Sequence, residues 1–240
     1  MSKPGKVYLI PSLLDEGAVV TIPAYITNHI KDCTVFFTEN ERTARRYLKQ
    51  LWKVYLRGQE MVIDDYEWFT IHKTEEEMLG VFRKKLNDGK TIGIISEAGC
   101  PGIADPGQML IAAAHEMNAE VKPLVGPNSI LLALMASGMN GQQFHFAGYL
   151  PIDTKEKIKT IRELEAASLK YNTTHIFIET PYRNNQLLDS LFKTCNPSTK
   201  LCIAVNLTSI HEWVKTKTVM EWINIKPNLH KQPAIFCLQA

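Results

Sequence analysis

Apolar runs and amphipathic stretches alternate along the chain, and their periods predict an α/β protein. KVYLI at 6–10 reads as a first strand, stopped by Pro11-Ser12, and CTVFFT at 33–38 as a second. From Glu41 to Leu56, Ala44, Leu48, Leu51 and Tyr55 recur at helical spacing, which predicts a helix. A second helix spans Glu75 to Leu86 and closes on Asn87-Asp88-Gly89, where glycine suits a left-handed C-cap. TIGIIS at 91–96 is a buried strand and 121–125 another. Between them 106–117 is helical, with Asp105 as its N-cap and Pro106 in its first turn. This β-α-β order predicts a mostly parallel sheet with helices on its faces.

The pattern changes after Gly138. FHFAGYL at 144–150 reads as a strand, 155–170 as a charged amphipathic helix, THIFIE at 174–179 as a strand and 185–195 as a helix. Further strands follow at 201–207, 212–219 and 234–238. The first two have so little between them that this sheet is expected to be mixed. The predicted architecture is two α/β lobes, 1–118 and 119–240, the first sheet mostly parallel and the second mixed, with no flexible linker.

Ligands of an open parallel sheet bind beyond the carboxyl ends of its strands. The loops at 11–17, 96–107 and 126–129 hold such places. SEAGCPGIADPG at 96–107 packs Gly99, Gly102 and Gly107 with Pro101 and Pro106 straight after a buried strand. Glycine lets backbone approach a ligand and proline stiffens the loop. A plain strand-to-helix connection is the competing account. GxxxxGK[ST] and GxGxxG are both absent, which argues against a P-loop nucleotidase and a dinucleotide fold. Glu97 and Asp105 flank the glycines, placed either to face a cation such as a sulfonium or to cap turns. In GPNS at 126–129, Asn128 or Ser129 caps the apolar helix at 130–137. Free amides there also suit a carboxylate or ribose hydroxyls.

Composition narrows the class. With 45% hydrophobic and 22% charged residues the chain reads as an ordinary soluble protein. It has neither a signal-like start nor a stretch approaching the roughly 20 apolar residues of a membrane span. Its five scattered cysteines show no zinc-type spacing, so no metal is expected and a reduced cytoplasmic setting is. Net charge is +2, but 1–118 carries 14 basic against 16 acidic residues, and 119–240 carries 13 against 9. More telling is one helix face. Arg42, Arg46, Lys49, Lys53 and Arg57 step by 4, 3, 4 and 4, with Arg45 beside them and no acidic residue from 43 to 57. Such a stripe tracks phosphates, with Tyr47 or Trp52 available to stack; a solvated face with its aromatics in the core is the alternative.

Taken in order, five segments resemble the tetrapyrrole-methylase superfamily, and within it the ribosomal small-subunit rRNA 2′-O-methyltransferase I branch. SEAGCPGIADPG at 96–107 is similar to that branch's S-D-A-G-T-P-x-I-S-D-P-G, and PLVGPNS at 123–129 to its P-L-P-G-P-S. FHFAGYLP at 144–151 resembles F-x-F-x-G-F-L-P, FIETPYR at 177–183 resembles F-Y-E-S-P-H-R, and NLTSIHE at 206–212 resembles E-L-T-K-x-H-E. The resemblance implies two α/β lobes with S-adenosylmethionine in the cleft between them, and a homodimer. It implies that Pro11, Glu97, Gly99, Cys100 and Ile103 line the cofactor site from the first lobe, completed by Asn128, Ser129 and Leu150. The implied activity is 2′-O-methylation of ribose in small-subunit rRNA. A tetrapyrrole or other small-molecule methyltransferase, and a cofactor-binding homologue without catalysis, are the alternatives.

Departures from the branch pattern fall on the substrate side. IPSLLDE at 10–16 stands where the branch has T-P-I-G-N-L, Glu39-Asn40-Glu41-Arg42 stands for E-D-T-R, and His72-Lys73-Thr74-Glu75 matches H-N-E loosely. Glu39 is the candidate proton acceptor and Arg42 the candidate phosphate holder, with a plain ion pair as the equal alternative. Arg183 with Glu179 forms a second such pair. His72, His145, His175 and His211 have no partner in sequence and read as structural.

Overall fold

The computed structural model describes residues 4–57, 62–71 and 75–240. The His72-Lys73-Thr74 comparison lies outside them. The chain forms two compact units, Met1–Asn128 and Ser129–Ala240.

The first unit is built on a five-stranded, all-parallel sheet. Its strands are β1 (Lys6–Ile10), β2 (Val35–Thr38), β3 (Glu67–Thr70), β4 (Ile92–Ile95) and β5 (Glu120–Pro123), in the order β3-β2-β4-β1-β5. Strands β2 and β4 are buried along their whole length, as strands covered on both faces must be. Because β5 pairs with β1, with Leu9 opposite Pro123, residues 120–123 belong to this unit. The boundary therefore falls after Asn128 and not after 118.

Right-handed crossovers decide which face each helix covers. From β1 the chain moves outward to β2 and β3, so α1 (Ile26–Asp32) and α2 (Glu41–Tyr55) share a face. Their Ile26, Ile30, Tyr47, Leu48 and Leu51 pack with Ile10 and Phe36. The chain then returns across the sheet to β4 and β5. Accordingly α3 (Glu75–Asn87) and α4 (Gln108–Glu116) lie on the other face, with Phe82, Leu86 and Leu110 against Val35, Ile92 and Ile94. Strand β4 thus stands between β1 and β2, whose following connections go to one face while its own goes to the other. Such a reversal opens a crevice at the carboxyl ends of the strands.

The helix after β4 starts later than expected. Its N-cap is Gly107 at φ 125°, without a side-chain cap, so Asp105 is not the capping residue. In α2 the side chains of Tyr47 and Trp52, 4% and 6% exposed, lie in the core and are not open for stacking. The helix is N-capped by Asn40, whose side chain accepts from the Arg42 and Thr43 amides.

The second unit carries a mixed sheet in the order β6-β7-β10-β8-β9: β6 (Phe144–Tyr149), β7 (Thr174–Ile178), β8 (Lys200–Val205), β9 (Trp213–Thr218) and β10 (Ala234–Gln239). Only β6 and β7 are parallel. One face is covered by α6 (Thr154–Tyr171), α7 (Asn184–Thr194) and α8 (Val219–Ile225), around Phe177, Leu187, Trp222 and Phe236. The apolar α5 (Ser129–Ser137) lies against β8, β9 and β10. Among the described residues no helix is long and apolar enough to cross a membrane.

Candidate active site

Four loops of the first unit meet at the carboxyl edge of its sheet. After β1, the Ser12 amide donates to the Gly99 carbonyl at 2.7 Å, so the first loop is stitched to the glycine loop that follows β4. After β5, the chain passes so close to Pro11 that a Cβ added to Gly126 would lie 2.2 Å from the Pro11 Cβ. The Cys100 thiol points to the Pro127 carbonyl at 3.7 Å. After β2, the Glu39 carboxylate accepts from the Glu97 amide at 3.2 Å. The structure therefore brings Pro11 and Glu39 to Glu97, Gly99 and Cys100 of the glycine loop, three segments far apart in sequence.

The glycine loop departs from ordinary backbone. Gly99, Gly102 and Gly107 have φ of 70°, 77° and 125°, and Ala104, which has a Cβ, is held at 64°. A left-handed alanine costs on the order of 1 kcal/mol, a strain that concentrates at functional sites. Ile103 beside it is 47% exposed, an apolar side chain offered to solvent.

Helix α2 buttresses these loops. The Tyr47 hydroxyl donates to the Pro11 carbonyl at 2.6 Å and the Thr43 hydroxyl donates to the Glu97 carboxylate. Thr43 is not singled out by the sequence, and Tyr47 is considered there only as a stacking group, a role its burial excludes. The signal was there, since hydroxyls at i and i+4 sit beside the apolar positions of one helix.

Three carboxylates gather at the mouth of the glycine loop. Burial, then the charges of Glu39 and Glu97, push Asp105 up from 3.8 to about 6. The helix-capping role expected for Asp105 is thereby replaced by an electrostatic one. The cluster carries a negative potential that a bound cation would relieve. Among the described residues no group of three or more metal-binding side chains could hold a metal ion.

The basic stripe lies on the outer face of α2. Arg42, Arg46, Lys49, Lys53 and Arg57 are all exposed, and Glu41, Arg42, Arg45, Arg46 and Lys49 line a recess of about 660 Å³. No ion pair joins Arg42 to Glu39. Arg46 pairs with Glu16 at 2.6 Å. Arg45 is committed elsewhere, to Glu41 at 2.8 Å, to Asp64 at 2.7 Å, and over the Trp68 ring at 5.0 Å.

The remaining candidates belong to the second unit, apart from Asn128, the last residue of the first. Ser129 opens α5, and Leu150 is buried in the second core. Arg183 donates through Nε and Nη2 to Glu179 at 2.9 and 2.7 Å, and Lys157 approaches the other carboxylate oxygen at 3.8 Å. Glu179 is thus a buried carboxylate between two cations, and the ion pair considered for Arg183 is formed. His145 and His175, opposite one another on β6 and β7, bring their rings within 5.6 Å.

A family model for Tetrapyrrole (Corrin/Porphyrin) Methylases matches residues 8–222. The ribosomal RNA small subunit methyltransferase I of Vibrio cholerae is 33% identical over 156 residues, 65% of this chain and 53% of that protein. Its counterpart from Helicobacter pylori is 31% identical over 220 residues, 85% of this chain and 72% of that protein. The chain spans about half the length of several curated relatives it matches. Among solved structures, the uroporphyrin-III C-methyl transferase of Thermus thermophilus complexed with S-adenyl homocysteine has the same fold. Its TM-score is 0.56 at 14% identity, covering 98% of this chain and 97% of that one.

Proposed function

The chain belongs to the tetrapyrrole (corrin/porphyrin) methylase family, in the ribosomal RNA small subunit methyltransferase I branch, and from that membership we propose that it transfers a methyl group from S-adenosylmethionine to a ribose 2′-hydroxyl of small-subunit rRNA. The observation that carries the proposal is the juxtaposition made by α2. One side of the helix buttresses Pro11 and Glu97 through Tyr47 and Thr43, and the other presents a row of exposed cations.

The residues present fit S-adenosylmethionine, whose sulfonium and ammonium are cationic. Glu39, Glu97 and the Asp105 carboxyl, held neutral below about pH 6, face a common region. Pro11, Gly99, Cys100, Ile103 and Asn128 complete the set that would hold it. When bound, the cofactor supplies a methyl group already activated by its positive sulfur.

What remains for the protein is positioning, a proton acceptor and the exclusion of water. Glu39 receives the hydroxyl proton; its carboxylate is oriented by the Glu97 amide. Arg42, in the first turn of α2 and without an acidic partner among the described residues, holds a phosphate beside the reacting ribose. Lys49, Lys53 and Arg57 extend the track along the strand.

The protein acts in the cytoplasm as a homodimer. Five free cysteines suit a reducing compartment, and α5 exposes Met135 as apolar surface for a second copy. Calorimetry tests the cofactor half of the proposal. S-adenosylmethionine is expected to bind the wild-type chain and to bind Glu97→Gln more weakly; absence of binding to the wild type would overturn it.

A further inference from the structure

The short segment 12–17 touches both the glycine loop and the basic stripe of α2. At one end Ser12 bridges to Gly99, and the Leu14 side chain lies 3.4 Å from where a Cβ on Gly99 would stand. At the other end the Glu16 carboxylate pairs with Arg46 at 2.6 Å. Around Glu16 the turn is tightened by the Gly17 and Ala18 amides, which donate to the Asp15 carboxylate and carbonyl, each at 3.0 Å.

Arg46 sits between Arg42 and Lys49 on the stripe. Of the five stripe residues it alone has a carboxylate partner among the described residues. The pair is a surface one, with side chains 76% and 54% exposed for Glu16 and Arg46. Such pairs are weak and exchange readily. To a guanidinium, a carboxylate and a phosphodiester offer the same chemistry, two oxygens sharing one negative charge.

We propose that Glu16 is a built-in competitor for the RNA phosphate: it occupies Arg46 in the free protein and gives it up when RNA docks along α2, releasing the turn that braces Gly99. The inference rests on the RNA reading given above. It makes the 12–17 segment, where the chain departs from its branch's pattern, a filter for ligands that carry a run of phosphates. A ligand without them leaves Glu16 in place and the glycine loop braced.

The test is a double-mutant cycle on the full chain, read by fluorescence anisotropy of a labelled single-stranded oligoribonucleotide at low salt. Glu16→Gln is expected to tighten binding up to about fivefold, the worth of one surface ion pair. In an Arg46→Ala background the same change is expected to do nothing. Equal tightening in both backgrounds would reduce Glu16 to general repulsion and overturn the proposal, as would no tightening at all. Failure of the wild type to bind the RNA at any salt concentration would instead bring down the RNA reading, and this inference with it. Hydrogen exchange gives an independent readout: RNA should speed exchange at the Gly17 and Ala18 amides in the wild type, and unchanged rates would contradict release of the turn.

Discussion

The Tyr47 hydroxyl donates a 2.6 Å hydrogen bond to the Pro11 carbonyl, so a buried side chain of α2 fixes the first residue after β1. Burial pushes the phenol well above its ordinary range, so it stays protonated and remains a donor at any working pH. Tyr47→Phe would strand the carbonyl. The expected loss is about 1–2 kcal/mol in urea denaturation, with weaker S-adenosylmethionine binding alongside. Wild-type stability in that variant would show that the carbonyl finds another donor.

Acid should loosen the second unit through His175. Its two ring nitrogens are buried without hydrogen-bond partners, and burial, then His145, lowers its pKa from 6.5. A lowered histidine pKa means that the unfolded chain takes up the proton first. Stability is therefore full above about 6.5 and falls as pH drops toward the folded value. Thermal denaturation from pH 7.5 to 5 should show the decline, and His175→Phe should flatten it.

Asp105 acts in the opposite sense. Its folded pKa of about 6 lies above 3.8, so its contribution to stability is complete below about 3.8 and is lost as pH rises through 6. A bound cation reverses that preference by favouring the carboxylate. S-adenosylmethionine affinity should thus weaken as pH falls through 6, with proton release on binding near that pH. In Asp105→Asn the calorimetric pH dependence there should disappear, while the free protein gains stability at pH 7.5.

Phosphate tracking and structural charge can be separated on α2. Replacing Lys49, Lys53 and Arg57 by Ala should cut the salt dependence of RNA binding by about 2 in logarithmic slope, at roughly 0.7 per phosphate on a single strand. Arg45→Ala should leave that slope alone, because Arg45 is spent on Glu41, Asp64 and Trp68. Its cost should appear as about 0.5–1 kcal/mol of stability. Salt titrations of both variants check the contrast.

The elements with strong periods were legible in the sequence. β1 was placed to the residue, and α2, α3, α6 and α7 to within a few residues. Elements without a period were not. Strand β3 is four residues with no alternation of burial, and seven-residue α1 offers little more than Ile26 and Ile30. The start of α8 was signalled and passed over: Thr218 and Glu221 form a capping box where a strand was read on to Val219. Asp105-Pro106 misled because capping chemistry is local, whereas the role of Asp105 comes from Glu39 and Glu97, brought near by strand order. For Thr43 and Tyr47 the helical spacing of the hydroxyls is legible, but their partners, Glu97 and Pro11, are set by the tertiary fold.

The central claim is tested most directly by incubating the full chain with small ribosomal subunits and S-adenosylmethionine labelled in its methyl group. Label should appear in the rRNA, and nuclease digestion with mass analysis should place it on a ribose 2′-oxygen. It should fall sharply with Glu39→Gln and with removal of Lys49, Lys53 and Arg57. Label on a base, or on a tetrapyrrole with none in rRNA, from protein that binds the cofactor would contradict the account.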